Sequence, residues 1–341
     1  MDTARALSGA FQRGGPSHRF AELLLAQAVW LILFILLAAF CAFIPGYAQT
    51  GILFNILEQS TFVGILSVAL AIVIIGGQMD LSIESTMALA AMLTAWVSSP
   101  AGLGWKADPG WLVVPTTLLL ALTLGVVIGL FNSWIVLKCG ISAFIATLAT
   151  YIFLRGGVVA FNGGRGVFGL PQDLRAIATT RVFDVPMLAL ITIGIFVIFT
   201  FVLARTPFGR YLYLLGGNPV APFRAGIPIG KVATWSFVIS GALAAFAGWL
   251  LAARTAGATA NLGVGMLFEA FAAVVIGGVS LKGGVGTLSG VFAGVLLLSS
   301  IRTAINLLGM PPQYTQMIQG ALVLAAMLLD ALKQSIRAKF V

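Results

Sequence analysis

Charge is scarce in this chain. Of 341 residues, 19 are Lys or Arg and 10 are Asp or Glu, 9% in all, where a typical soluble domain carries about 25%. That supply cannot cover the surface of a soluble protein of this length. Histidine is scarcer still: His18 is the only one, in a polar N-terminal stretch. One histidine excludes an H-E-x-x-H zinc site and argues against a histidine-based catalytic centre. The two cysteines, Cys41 and Cys139, lie in or beside apolar runs, so neither a disulfide framework nor a metal-ligand spacing is present. A phosphate-binding loop is missing as well. Gly230-Lys231 is followed by Val232, and the run Gly283-Gly284-Val285-Gly286 leads to Thr287 with no lysine. The carboxylates are scattered among separate segments and offer no acid/base pair. The chain is therefore read as a non-enzyme, with no metal site and no cofactor of its own.

What is abundant is apolar: 60% hydrophobic residues and a mean hydropathy of +1.07. The formal net charge of +9 would suggest nucleic acid in a soluble protein. Here the bases sit in short segments between apolar runs, where they orient membrane spans, and no nucleic-acid partner is expected. A span needs about 20 mainly apolar residues. Ten candidates are present, at 23–44, 52–75, 83–98, 112–137, 143–161, 186–203, 232–252, 267–280, 288–305 and 314–332. The first is longer than the apolar core of a signal peptide and is read as a retained span. The third and eighth are short and flanked by glycine. They are expected to be broken or partly inserted helices, which persist in a membrane only where protein shields them.

The fold class is thus an all-α integral membrane protein of about ten transmembrane helices. An even count puts both termini on one side. Twelve Lys or Arg fall on that side: Arg5, Arg13, Arg19, Lys138, Arg205, Arg210, Arg224, Lys231, Lys282, Lys333, Arg337 and Lys339. Seven fall opposite: Lys106, Arg155, Arg165, Arg175, Arg181, Arg254 and Arg302. The bias makes the termini cytoplasmic. The division is a cytoplasmic arm at 1–22, a membrane domain at 23–332 with an outer loop at 162–185 and a cytoplasmic loop at 204–231, and a cytoplasmic tail at 333–341. An internal echo links Ile75-Gly76-Gly77 with Ile276-Gly277-Gly278, each ending a span.

Four segments carry more specific signals. Asp80-Leu81-Ser82-Ile83-Glu84-Ser85 reads as a tight turn into a helix start, with Asp80 or Ser82 as a cap or as a substrate contact. Thr206-Pro207-Phe208-Gly209-Arg210, continuing through Gly216-Gly217-Asn218-Pro219 and Ala221 to Arg224-Ala225-Gly226, is a Gly- and Pro-punctuated loop. Glu269-Ala270-Phe271-Ala272-Ala273-Val274-Val275-Ile276-Gly277-Gly278 leads into Ser280-Leu281 and the glycine run at 283–286; Glu269 is a capping or binding candidate. Asn306-Leu307-Leu308-Gly309, then Pro311 to Gly320, leads into the last span, with Gln316 and Gln319 as candidates for a polar path or for helix–helix hydrogen bonds.

In their order and spacing these segments resemble the sugar-permease family of binding-protein-dependent ABC importers, the family of the ribose permease. The likeness covers most of the chain from the second span to the last. Two departures stand out: Glu84 where the family has Gly, and Glu269 where it usually has Asp. The resemblance implies the ABC importer permease fold, a location in the bacterial inner membrane, and a dimer with a second copy or a sister permease. It implies that the loop around Thr206, Phe208, Gly209, Arg210, Gly217, Asn218, Pro219, Ala221, Arg224 and Gly226 docks on a cytoplasmic ATPase that carries the ATP and Mg. A periplasmic sugar-binding protein would deliver a sugar or polyol to the outer face, where Arg165, Arg175 and Arg181 are docking candidates. Asp80, Ser82, Glu84, Glu269, Gly277, Gly278, Gln316 and Gln319 are the helix-turn and pathway candidates. The alternative is an ion-coupled secondary transporter of a small polar solute.

Overall fold

The computed structural model describes residues 16–105, 110–218 and 226–311, with isolated positions 313, 314, 317, 318, 320, 321, 324 and 328 beyond them. The expectations placed on Pro219, Ala221, Arg224, Gln316 and Gln319, on residues 1–15 and 333–341, on Lys106 and on most of the tenth span fall outside these residues.

Among the described residues the chain is all-helical apart from four two-residue strands. In chain order the helices are α1 Pro16–Phe43, α2 Thr50–Ile75, α3 Ile83–Ser98, α4 Val113–Lys138, α5 Ala143–Phe161, α6 Gln172–Thr179, α7 Met187–Arg205, α8 Pro207–Gly217, α9 Ile229–Thr255, α10 Met266–Ile276 and α11 Leu288–Leu307. The strands are β1 Val167–Phe168, β2 Arg181–Val182, β3 Val185–Pro186 and β4 Gly257–Ala258. Among the described residues, six helices are long and apolar enough to cross a membrane: α2, α4 (with the 3-10 turn that precedes it), α5, α7, α9 and α11. The two short spans are short helices. The eighth departs from expectation, since α10 stops at Ile276 and not near 280.

The reason is a pair of matching helix stops. At the end of α2, Gly77 takes φ +75° while its N–H bonds Ile74 O and that of Gln78 bonds Val73 O. At the end of α10, Gly278 takes φ +85° while its N–H bonds Val275 O and that of Val279 bonds Val274 O. Both are the glycine-terminated stop in which two backward hydrogen bonds satisfy the last carbonyls. The echo in the sequence is therefore one structural device used twice.

Helices α2 and α9 form the centre. From Ser60 to Ile75 every residue of α2 is buried, which suits a helix apolar on all sides. Helix α9 crosses α4 at backbone contact, because a methyl group at Gly241 would overlap the carbonyl of Gly125 and one at Gly125 would overlap that of Gly241. Gly125 and Gly129 form a G-x-x-x-G pair that permits this approach. Helices α5 and α7 lie outside and expose Ile152, Phe153, Val197 and Phe201.

The connections sort to two ends. Strand β1 pairs antiparallel with β4, so the loop after α5 and the loop after α9 share one end, with α6 packed beside them. The turn after α2, helix α8 and the turn after α10 share the other. Helix α7, 19 residues or about 28 Å, spans the distance between them.

Candidate functional site

Two polar clusters lie inside this apolar bundle, each at the start of a short helix. The first surrounds Asp80, which is 1% exposed. Its Oδ1 accepts from the Ser82 backbone N–H at 3.0 Å and from the Ser82 hydroxyl at 2.6 Å. Its Oδ2 accepts from Ser240 on α9 at 2.9 Å. Ser82 is the N-cap residue of α3 but makes no side-chain bond to that helix. Its oxygen instead accepts from Asn132 on α4 at 2.8 Å, and Thr150 on α5 donates to Asn132 Oδ1 at 2.8 Å. Thr147 accepts from the Leu81 N–H at 3.1 Å. Both carboxylate oxygens are thus occupied by donors of the chain itself, and three helices hold one turn.

The second cluster surrounds Glu84, also 1% exposed. Its Oε1 receives Arg155 Nη2 at 2.6 Å and the Tyr151 hydroxyl at 3.2 Å, both from α5. Its Oε2 accepts the backbone N–H groups of Gly265 and Leu267, each at 3.0 Å. These belong to the unpaired first turn of α10, where the helix dipole favours an anion. Arg155 also donates to Ala260 O at 3.2 Å and Leu262 O at 3.3 Å. The α9–α10 loop is thereby drawn down beside α3. Glu84 lies about 21 Å along α3 from Ser98, and it is at Ser99 that α3 meets β1, through a hydroxyl bond to Phe168 O.

Glu269, the capping or binding candidate, lies in the first turn of α10. It pairs with Arg302 of α11. Glu58 of α2 pairs with Arg254 of α9 at 2.8 Å. Arg155, Arg254 and Arg302, counted above as outer-side charges, are thus partners of glutamates within helices.

At the opposite end, α8 lies against the bundle. Thr206 caps it by accepting the Gly209 N–H at 3.3 Å, and Pro207 occupies the first turn. Gly209, Leu212 and Leu215 are buried, Phe208 is half-buried, and Arg210, Gly217 and Asn218 are exposed. The tip of α8 touches backbone. A methyl group at Gly216 would overlap both Ile75 O and the Gly284 amide, and Gly284 N–H itself bonds Ile75 O at 2.8 Å. Tyr213 donates to Gly286 O at 2.7 Å, and burial raises its phenol above the ordinary value of 10.0, which keeps it a donor. Helix α8 therefore meets the stop of α2 and the turn after α10 together. Gly226 is exposed, with φ +73°. Gly277 and Gly278 form the stop of α10. Arg165, Arg175 and Arg181 are all exposed at the β1–β4 end.

The sequence reading missed Asn132, Thr147, Thr150 and Ser240 around Asp80, and Tyr151 with Arg155 around Glu84. One signal was available: an Asn within the apolar run 112–137 calls for a hydrogen-bond partner.

The chain matches the family described as branched-chain amino acid transport system / permease component over residues 52–327. It is similar to the ribose import permease protein RbsC of Haemophilus influenzae, 34% identical over 92% of this chain and 95% of that one. It is similar to the galactose/methyl galactoside import permease protein MglC of Escherichia coli, 32% identical over 92% and 96%. The autoinducer 2 import system permease protein LsrC of an Enterobacter species is 30% identical over 89% and 85%. No solved structure matches.

Proposed function

The chain belongs to the permease-component family of branched-chain amino acid and sugar import systems, and from that premise we propose that it is the transmembrane permease subunit of an ATP-binding cassette importer for a sugar or polyol. The observation that carries the reading is the near full-length likeness to permeases named for ribose and galactose import. Cargo arrives from a periplasmic binding protein, and ATP with Mg is hydrolysed on separate cytoplasmic ATPase subunits. On this reading the chain has about ten spans, with both termini cytoplasmic. Removing the three helix-paired arginines from the outer count leaves four bases outside (seven less three) against twelve inside, which sharpens the orientation bias.

The shape of α8 supports its role as the ATPase-docking element. Its apolar face is buried against α2, α7 and α9, while Arg210 points to solvent. An ATPase seated there would bear on the end of α2 and on the turn after α10 through Gly216. The ion-coupled alternative draws no support from Glu58, Glu84 and Glu269, which already have arginine partners.

Arg210→Glu tests the docking role. The expected outcome is a folded protein in which ATP hydrolysis by the assembled complex no longer drives uptake. Unchanged ATP-driven uptake in that variant removes α8 from the interface. Gly209→Trp is a poorer probe, because any side chain at Gly209 would overlap the Leu203 backbone and displace the helix.

A further inference from the structure

We propose that Glu84 is a built-in anion that joins α3, α5, the 256–265 loop and α10 into one block, by filling a cradle the rest of the chain forms for a carboxylate. The cradle has four donors from two separate stretches: Arg155 Nη2 and the Tyr151 hydroxyl on α5, and the Gly265 and Leu267 N–H groups at the start of α10. All four converge on one side chain, and two go to each oxygen. A carboxylate accepts in that arrangement and no other ionised side chain does. Position 84 also lies in the first turn of α3, so the charge sits beside two helix N-termini at once.

Removing the carboxylate would leave the half-buried Arg155 guanidinium without its anion and the Gly265 and Leu267 N–H groups without their acceptor, and it would free the start of α10 from α3. Arg155 would still bond Ala260 O and Leu262 O, but its own anchor to α3 would be gone. The other two ion pairs differ in setting: Arg254 is 47% exposed and Arg302 is 24% exposed, against 17% for Arg155. Buried and fully paired, the Glu84 node is costly to open. The cradle does not rest on the permease reading.

The test is chemical rescue of the purified full-length chain in detergent. Glu84→Gly deletes the atoms of one propionate from the cradle. Its thermal midpoint is expected below that of the wild type and to rise saturably with added propionate. The wild type and the Glu84→Gly/Arg155→Ala double variant are expected to show only the small common effect of salt. Glu84→Gln, which fills the space without the charge, is expected to melt below the wild type and to ignore propionate. A propionate response in Glu84→Gly no larger than in the wild type overturns the proposal. So does a Glu84→Gln chain as stable as the wild type, which settles the matter even if the glycine variant does not fold. Uptake by the assembled complex is read alongside. Rescue of the midpoint in a chain that transports without any ATPase would keep the cradle and remove the permease reading.

Discussion

Two buried carboxylates of this chain are satisfied by different means. Asp80 is surrounded by hydroxyl and amide dipoles, and Glu84 by a full positive charge and a helix end. Deleting one neutral donor leaves an acceptor partly unsatisfied, whereas changing the acceptor disturbs every donor. Ser240→Ala is therefore expected to destabilise the chain by about 1 kcal/mol, and Asp80→Asn by about 1–3 kcal/mol, since its amide turns a donor toward Ser240 or Ser82. Thermal midpoints of the two purified variants check the order; the reverse order would show that Asp80 does not organise the turn. The turn itself was legible, because Asp-x-Ser before an apolar run is a helix start. Its partners were not, because Asn132, Thr150 and Ser240 lie on three other helices and only packing brings them to residue 80.

At the scale of elements, glycine decides where helices stop and where they touch. The paired stops at Gly76-Gly77 and Gly277-Gly278 were visible as an echo in the sequence, and the structure gives them one hydrogen-bond pattern. The eighth span was drawn four residues too long because its apolar run continues past the glycines that end the helix. Helix α8 was harder to see, since its Pro and three glycines read as loop chemistry. It stands as a helix through the Thr206 cap and the burial of Leu212 and Leu215. Gly216→Ala is expected to lift α8 from the end of α2 and reduce ATP-driven uptake severalfold, while the ATPase still co-purifies. Full uptake would show that the backbone contact is dispensable. Gly241→Leu is expected to force α9 from α4 at a cost of about 1–3 kcal/mol or more, seen as a lowered melting temperature. An unmoved midpoint would contradict the close crossing.

The described part of the molecule presents two polar ends and an apolar waist. At one end α8 offers a small exposed face and Arg210. At the other, Arg165, Arg175 and Arg181 are exposed around the β1–β4 ladder and the β2–β3 hairpin. Reversing the charge of these three together is expected to weaken uptake through an acidic binding protein and leave basal ATP hydrolysis by the complex intact. Unchanged uptake and docking would assign them to lipid headgroups. The waist exposes Ile152, Phe153, Val197 and Phe201, which suits lipid or a second permease and not water. Composition alone placed the chain in a membrane, and motif order placed it among import permeases. What composition could not show is that three arginines counted on the outer side belong to ion pairs with helix glutamates, because pairing is a property of the packed bundle. The most direct test of the account is affinity purification of the tagged chain from native membranes in mild detergent, with mass spectrometry of its companions. The account predicts an ATPase bearing a phosphate-binding loop among them. Repeated purification of the chain alone, under conditions that keep ATP-driven importers intact, would contradict it.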